Sequence, residues 1–145
     1  MKKVIYLGNE KVRFEYSTLK QLQREAKKYN IIIGAGCYLG AGCSLLSRTR
    51  ILRDTKPINY IFFKGYYKHL ASGYIDKKTK KIVIQLGCFV RFLEDWEKDF
   101  DNNPKEFPKG SEDYKERREV YLLMKKILLK KLMKKILLKK QKELK

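Results

Sequence analysis

The sequence has little of what most catalytic and metal-binding motifs require. It carries one histidine, one tryptophan, three prolines and three cysteines in 145 residues. Three is an odd number of thiols for a chain large enough to build its own core, so they read as reduced cysteines in a reducing compartment. No CxxC knuckle pairs them, and no Walker loop, dinucleotide fingerprint, zinc signature or paired-carboxylate motif is present. The stretch GAGCYLGAG has glycines but lacks the Lys-Ser/Thr of a phosphate loop, so no cofactor and no metal are expected. No apolar run approaches the ~18 residues of a membrane span, because lysine pairs interrupt even the leucine-rich tail. The start, MKKVIYLG, lacks an apolar stretch of signal-peptide length and a small-residue cleavage site. The expected location is therefore the cytoplasm or a virion, without export by a signal peptide. Acidic residues are also scarce, 16 against 35 Lys and Arg, and the net charge of +19 points to an anionic partner. Of that charge, +9 lies between Lys125 and Lys145.

What is present suits a folded chain. A composition of 43% hydrophobic and 12% aromatic residues supplies one modest core. The expected organisation is a single domain over 1–100, a linker over 101–110 marked by Asn102, Asn103, Pro104, Pro108 and Gly110, and a C-terminal helix over 111–145. Two β-type runs, VIYLG and VRFEY, flank a turn at Asn9 and Glu10. Thr18 with Gln21 forms a capping box, followed by Leu19, Leu22, Ala26 and Tyr29 at helical spacing, which predicts a helix ending near Asn30. Its Lys20, Arg24, Lys27 and Lys28 read as a solvated face. Ser111 is a good N-cap, and Glu112 and Asp113 are placed favourably against the helix dipole.

From Ile33 the chain reads as four six-residue units, IGAGCY, LGAGCS, LLSRTR and ILRDTK. Ile33, Leu39, Leu45 and Ile51 hold position one, and Cys37, Cys43, Thr49 and Thr55 hold position five. A chain that bends every six residues needs an inward aliphatic, a glycine where the backbone approaches closely, and a small side chain at a tight corner. A helix would spread the aliphatics around three sides. Gly-Ala-Gly is a poor core for an ordinary paired strand.

These residues resemble the hexapeptide-repeat family, the left-handed parallel β-helix in which three hexads make one triangular coil. The resemblance implies that Ile33 stacks under Ile51 and Cys37 under Thr55, with Leu86–Arg91 supplying a further face. After Pro57 come an aromatic segment and a strand in which Ile82, Ile84 and Leu86 share a face, with residues 60–63 able to pair beside it. The order of aromatic hairpin, Ile84-Gln85-Leu86-Gly87-Cys88 strand and Glu94-Asp95-Trp96 acidic stretch is similar to that of small phage and bacterial members of the family. The expected fold is mainly β with flanking helices: a short left-handed parallel β-helix segment, an aromatic hairpin, an N-terminal helix and a long C-terminal helix.

The tail repeats KKILLKK at Lys125 and at Lys134. At about 100° per residue its apolar positions are scattered around the whole circumference, with no clean amphipathic face. Clusters recur at about 4.5 residues, which matches no heptad seam. A partly packed, partly frayed extension is expected, with a membrane-surface or anionic-polymer contact as the alternative.

Three functional readings follow. The first is a small self-associating structural or adaptor protein of the type encoded by phages or mobile elements, a homotrimer by family analogy, with other assembly proteins and an anionic partner of the basic tail among its contacts. In the second, the resemblance implies an acyltransferase using an acyl-coenzyme A donor, with His69 as the general base; Cys37 and Cys43 lack a partnering histidine close in sequence and read as packing residues. The third is nucleic-acid binding, in which Phe62, Phe63, Lys64, Tyr66, Tyr67 and Lys68 set aromatics beside lysines as a stacking surface would.

Overall fold

The computed structural model of the chain describes residues 2–63, 69–100 and 110–144. The chain divides into two compact units, Met1–Ile58 and Asn59–Lys145.

The first unit opens with a hairpin. Strand β1 (Lys3–Leu7) pairs antiparallel with β2 (Val12–Tyr16), with Leu7 opposite Val12 and Lys3 opposite Tyr16. The expected capping box is present in helix α1 (Leu19–Ala26), where the Thr18 side chain accepts from Gln21 N and the Gln21 side chain accepts from Thr18 N. A 3-10 turn over Lys27–Tyr29 then ends at Asn30, whose φ of 59° is the left-handed conformation that asparagine tolerates. Leu22 and Ala26 are fully buried, while Lys20, Arg24, Lys27 and Lys28 are exposed.

The hexads follow, and their period survives as a turn. Gly36, Gly42, Arg48 and Asp54 all have positive φ, at 73°, 81°, 72° and 57°. Each is the fourth residue of its hexad. The backbone therefore reverses in the same place in every unit, and the first residue of every unit, Ile33, Leu39, Leu45 and Ile51, is buried. In the last two units position five bonds a carbonyl of its own turn: Thr49 Oγ1 donates to Leu46 O at 2.6 Å and Thr55 Oγ1 to Leu52 O at 2.7 Å. Cys37 Sγ lies 4.0 Å from Thr55 Oγ1, and Ile33 pairs with Ile51.

The repeat does not build a left-handed β-helix, and the fold is mixed α/β rather than mainly β. The hexads contribute only three two-residue strands, β3 (Ile32–Ile33), β4 (Ser44–Leu45) and β5 (Arg50–Ile51). Strands β3 and β5 form a closed parallel pair, whereas β4 pairs with β1, giving a separate sheet of order β2-β1-β4. A β-helix needs every short strand stacked on strands of the coils before and after it. Four hexads are too few, and the place of a preceding coil is taken by an antiparallel hairpin. The trimer inferred from that family's open-ended prisms loses its structural ground with it.

The second unit is an antiparallel meander with helices. Strands β6 (Pro57–Phe63), β7 (Ala71–Asp76), β8 (Ile82–Leu86) and β9 (Phe89–Phe92) lie in the order β6-β7-β8-β9. The aromatic strand β6 therefore borders β7, and β7 separates it from Ile82, Ile84 and Leu86. The Leu86–Arg91 patch, expected to supply a further face of the coil, is the end of β8, the Gly87–Cys88 turn and most of β9, with Gly87 at φ 64° and Leu86 opposite Phe89. Helix α2 (Leu93–Asp99) carries Trp96, which donates Nε1–H to Ile84 O at 2.8 Å. Helix α3 (Glu112–Glu143) is capped by Ser111, whose side chain accepts from Tyr114 N at 3.2 Å. It packs on the sheet at Gly73, where an added Cβ would meet Leu128 Cδ1 at 2.8 Å and Met124 Cε at 3.0 Å. A larger residue there would push against the ends of these two flexible side chains.

Candidate functional site

The sites expected from sequence are distributed as follows. Ile33, Leu39, Cys37, Leu45, Thr49, Ile51 and Thr55 are core residues of the first unit, and Cys43 is half-buried. Burial pushes the Cys43 thiol up to about 11 and the Cys37 thiol up as well. Both are packing groups poorly disposed to act as nucleophiles at neutral pH. Cys88 is exposed. His69 is half-buried, with its Cβ 3.5 Å from where a side chain on Gly87 would begin. Phe62 and Phe63 lie on β6, half-buried, and Phe62 stacks on Tyr60 with ring centroids 5.0 Å apart. Lys64, Tyr66, Tyr67 and Lys68 lie outside the described residues, as does most of the 101–110 linker. Among the described residues no group of three or more His, Cys, Asp or Glu is placed to hold a metal ion.

The strongest concentration of charge and apolar surface lies on α3 and beside it. Its first half is anchored by rings and cations. Arg117, 2% exposed, lies over Trp96 at 5.0 Å and Phe100 at 5.3 Å, and Arg91 covers Trp96 at 4.4 Å. Stacking suits the planar guanidinium, which is more weakly hydrated than an ammonium and tolerates burial against rings. Lys125 pairs with Glu97 and holds its carboxyl below the usual range. Burial, and next the Glu97 carboxylate, push the Tyr121 phenol up. The helix thus leaves the body from a fixed base.

The second half projects. Leu128 is the last fully buried residue of α3, and from Met133 to Leu144 every residue is exposed. Burial resolves the scattered pattern of the tail into two opposed faces. Arg117, Val120, Tyr121, Met124 and Leu128 occupy an arc of about 100° against the sheet. Leu122, Leu129, Met133, Ile136, Leu137 and Leu144, all exposed, occupy an arc of about the same width on the opposite side, while Leu123 and Leu138, also exposed, lie outside it. Two opposed apolar arcs cancel in any single-face measure, which is why no amphipathic face was legible in the sequence.

A second basic segment meets the base of this arm. The β7–β8 turn contains Lys77, Lys78, Lys80 and Lys81, all exposed. Buried Asp76 ties it: Thr79 Oγ1 donates to Asp76 Oδ2 at 2.7 Å, and Lys80 takes φ 63°. Lys80 and Lys81 line one shallow pocket with Phe92, Leu93, Leu129 and Leu132. Lys81 also pairs with Glu94 at 2.9 Å. The turn and the arm are nearly fifty residues apart in sequence, and no local signal announces that they share a surface.

Among the described residues no helix is long and apolar enough to cross a membrane. No family model, no curated protein and no solved structure matches this chain.

Proposed function

We propose that the protein is a non-catalytic binding module, an adaptor whose folded second unit presents a rigid cationic helix to an anionic partner. The observation that carries this reading is the convergence of the β7–β8 turn lysines on the base of an anchored helix whose far end is exposed on every side. A solvated charge run on a surface helix needs neither a fixed base nor a row of exposed leucines. Rigid presentation reduces the ordering cost of binding. The acyltransferase reading draws less support, since it depends on coils along which an acyl carrier could lie, and the hexads contribute only three two-residue strands.

The test is the salt dependence of binding to polyphosphate by the full chain and by a variant with Lys134, Lys135, Lys139 and Lys140 all changed to Gln. These side chains are exposed, so the fold should persist. The expected result is weaker binding and a log–log salt slope shallower by roughly 3, since each lysine–phosphate contact contributes about 0.7–0.9. Equal affinity and equal slope in the two proteins would overturn the proposal.

A further inference from the structure

Resting on that reading, we infer that the anionic partner is a lipid bilayer surface, with the projecting half of α3 lying in the headgroup boundary. The arm offers the two things such a surface recognises: an exposed apolar arc and lysines on stems long enough to reach back to phosphate. Leu129, Met133, Ile136 and Leu137 form the arc, with Lys130 at one edge and Lys139 about 60° beyond the other.

Other partners fit this surface less well. A nucleic acid would leave the leucines without a partner, because phosphate contacts need only the lysines. From Leu122 onward the chain has no arginine and no aromatic, the residues that stack on or read bases. A second copy would set one lysine-flanked stripe against another, and like charges beside a helical seam repel. An acidic partner helix would neutralise the lysines, but Lys140 sits within the apolar arc, where it would be buried in a protein seam. Ile136, Leu137 and Leu138 together sweep roughly 200° of the helix, wider than one partner helix covers. A bilayer tolerates both features, since the arm can sink at the arc while Lys140 extends to the headgroups. The lysines of the β7–β8 turn, next to the base of the arm, add to the attraction toward an anionic leaflet.

The test is cosedimentation of the full chain with vesicles of phosphatidylcholine alone and of phosphatidylcholine containing about a third phosphatidylserine, at an ionic strength of about 0.1 M. Polyuridylate and poly-glutamate binding are measured in parallel. The diagnostic variant is Met133→Gln with Leu137→Gln, at positions 57% and 55% exposed, so that folding, checked by circular dichroism, is preserved. The expected result is binding to the anionic vesicles, at least tenfold weaker on neutral vesicles and at least tenfold weaker for the variant. Vesicle binding that the variant leaves unchanged would overturn the inference, because the contact would then be charge alone. Tighter binding to polyuridylate or poly-glutamate than to the vesicles would overturn it while leaving the anionic-partner reading intact. Absence of binding to every probe would bring down both.

Discussion

Two glycines at the same position of the repeat are expected to respond in opposite ways to alanine. At Gly34 an added Cβ would lie 2.4 Å from Arg53 N, 2.5 Å from Arg53 Cα and 2.9 Å from Leu52 C. All three are backbone atoms, so no side-chain rotation relieves the overlap. Restoring ordinary contact means parting the two segments by about 1 Å, which strains the bonds that join them, Gly34 N to Ile51 O at 2.9 Å and Asp54 N to Ala35 O at 2.8 Å. Overpacking costs roughly 1–3 kcal/mol, and a weakened hydrogen bond up to about 1 more, against which the loss of glycine's unfolded-state freedom returns about 0.4–1. The net for Gly34→Ala is a destabilisation of roughly 2 kcal/mol. At Gly40 nothing lies within 4 Å of the added atom, so Gly40→Ala should be neutral or stabilising by up to about 1 kcal/mol. Gly42→Ala separates the second cause, since that position is equally open but has φ 81° and should cost about 1–2 kcal/mol. The assay is urea unfolding followed by far-UV ellipticity, with Trp96 fluorescence as the reporter of the second unit. Equal effects at Gly34 and Gly40 would refute the claim that the repeat brings its first and fourth units into backbone contact.

Two further predictions concern titrating groups. At pH 8 one thiol, Cys88, should react quickly with an aromatic disulfide reagent and the other two only after unfolding, because Cys37 is buried and Cys43 is raised to about 11; rapid reaction of all three in the native protein would contradict this packing. The folded pKa of Glu97 lies below its unfolded value, so the Lys125 pair stabilises above about pH 4.3 and the benefit is lost as pH falls through the folded value. Both side chains are about a third or more exposed, so Glu97→Gln should cost under about 1 kcal/mol at pH 7. That difference should vanish in acid, and a difference that grows toward low pH would show the sign to be wrong.

Local chemistry made several elements of both units legible. The hairpin of β1 and β2, the Thr18 capping box and the Ser111 cap each depend on a few adjacent residues. The six-residue period was also legible, and it reports a real backbone feature, the left-handed residue at Gly36, Gly42, Arg48 and Asp54. What the period does not encode is the strand partner. Leu45 pairs with Leu7, outside the repeat, and nothing near Leu45 says so. The same limit hid the candidate surface. Its turn lysines and its arm lysines each read as solvated charge until the packing of Met124 and Leu128 over Gly73 sets α3 along β7 and brings Leu129 to Lys80. The opposed arcs of α3 needed burial to tell the packed face from the free one.

The most direct test of the account is amide hydrogen exchange across the whole chain, with and without saturating polyphosphate. The expected result is new protection confined to the α3 arm beyond Leu128 and to the β7–β8 turn, with the hexads unchanged. Protection centred on residues 33–56 or around His69, with the arm exchanging as in the free protein, would contradict it.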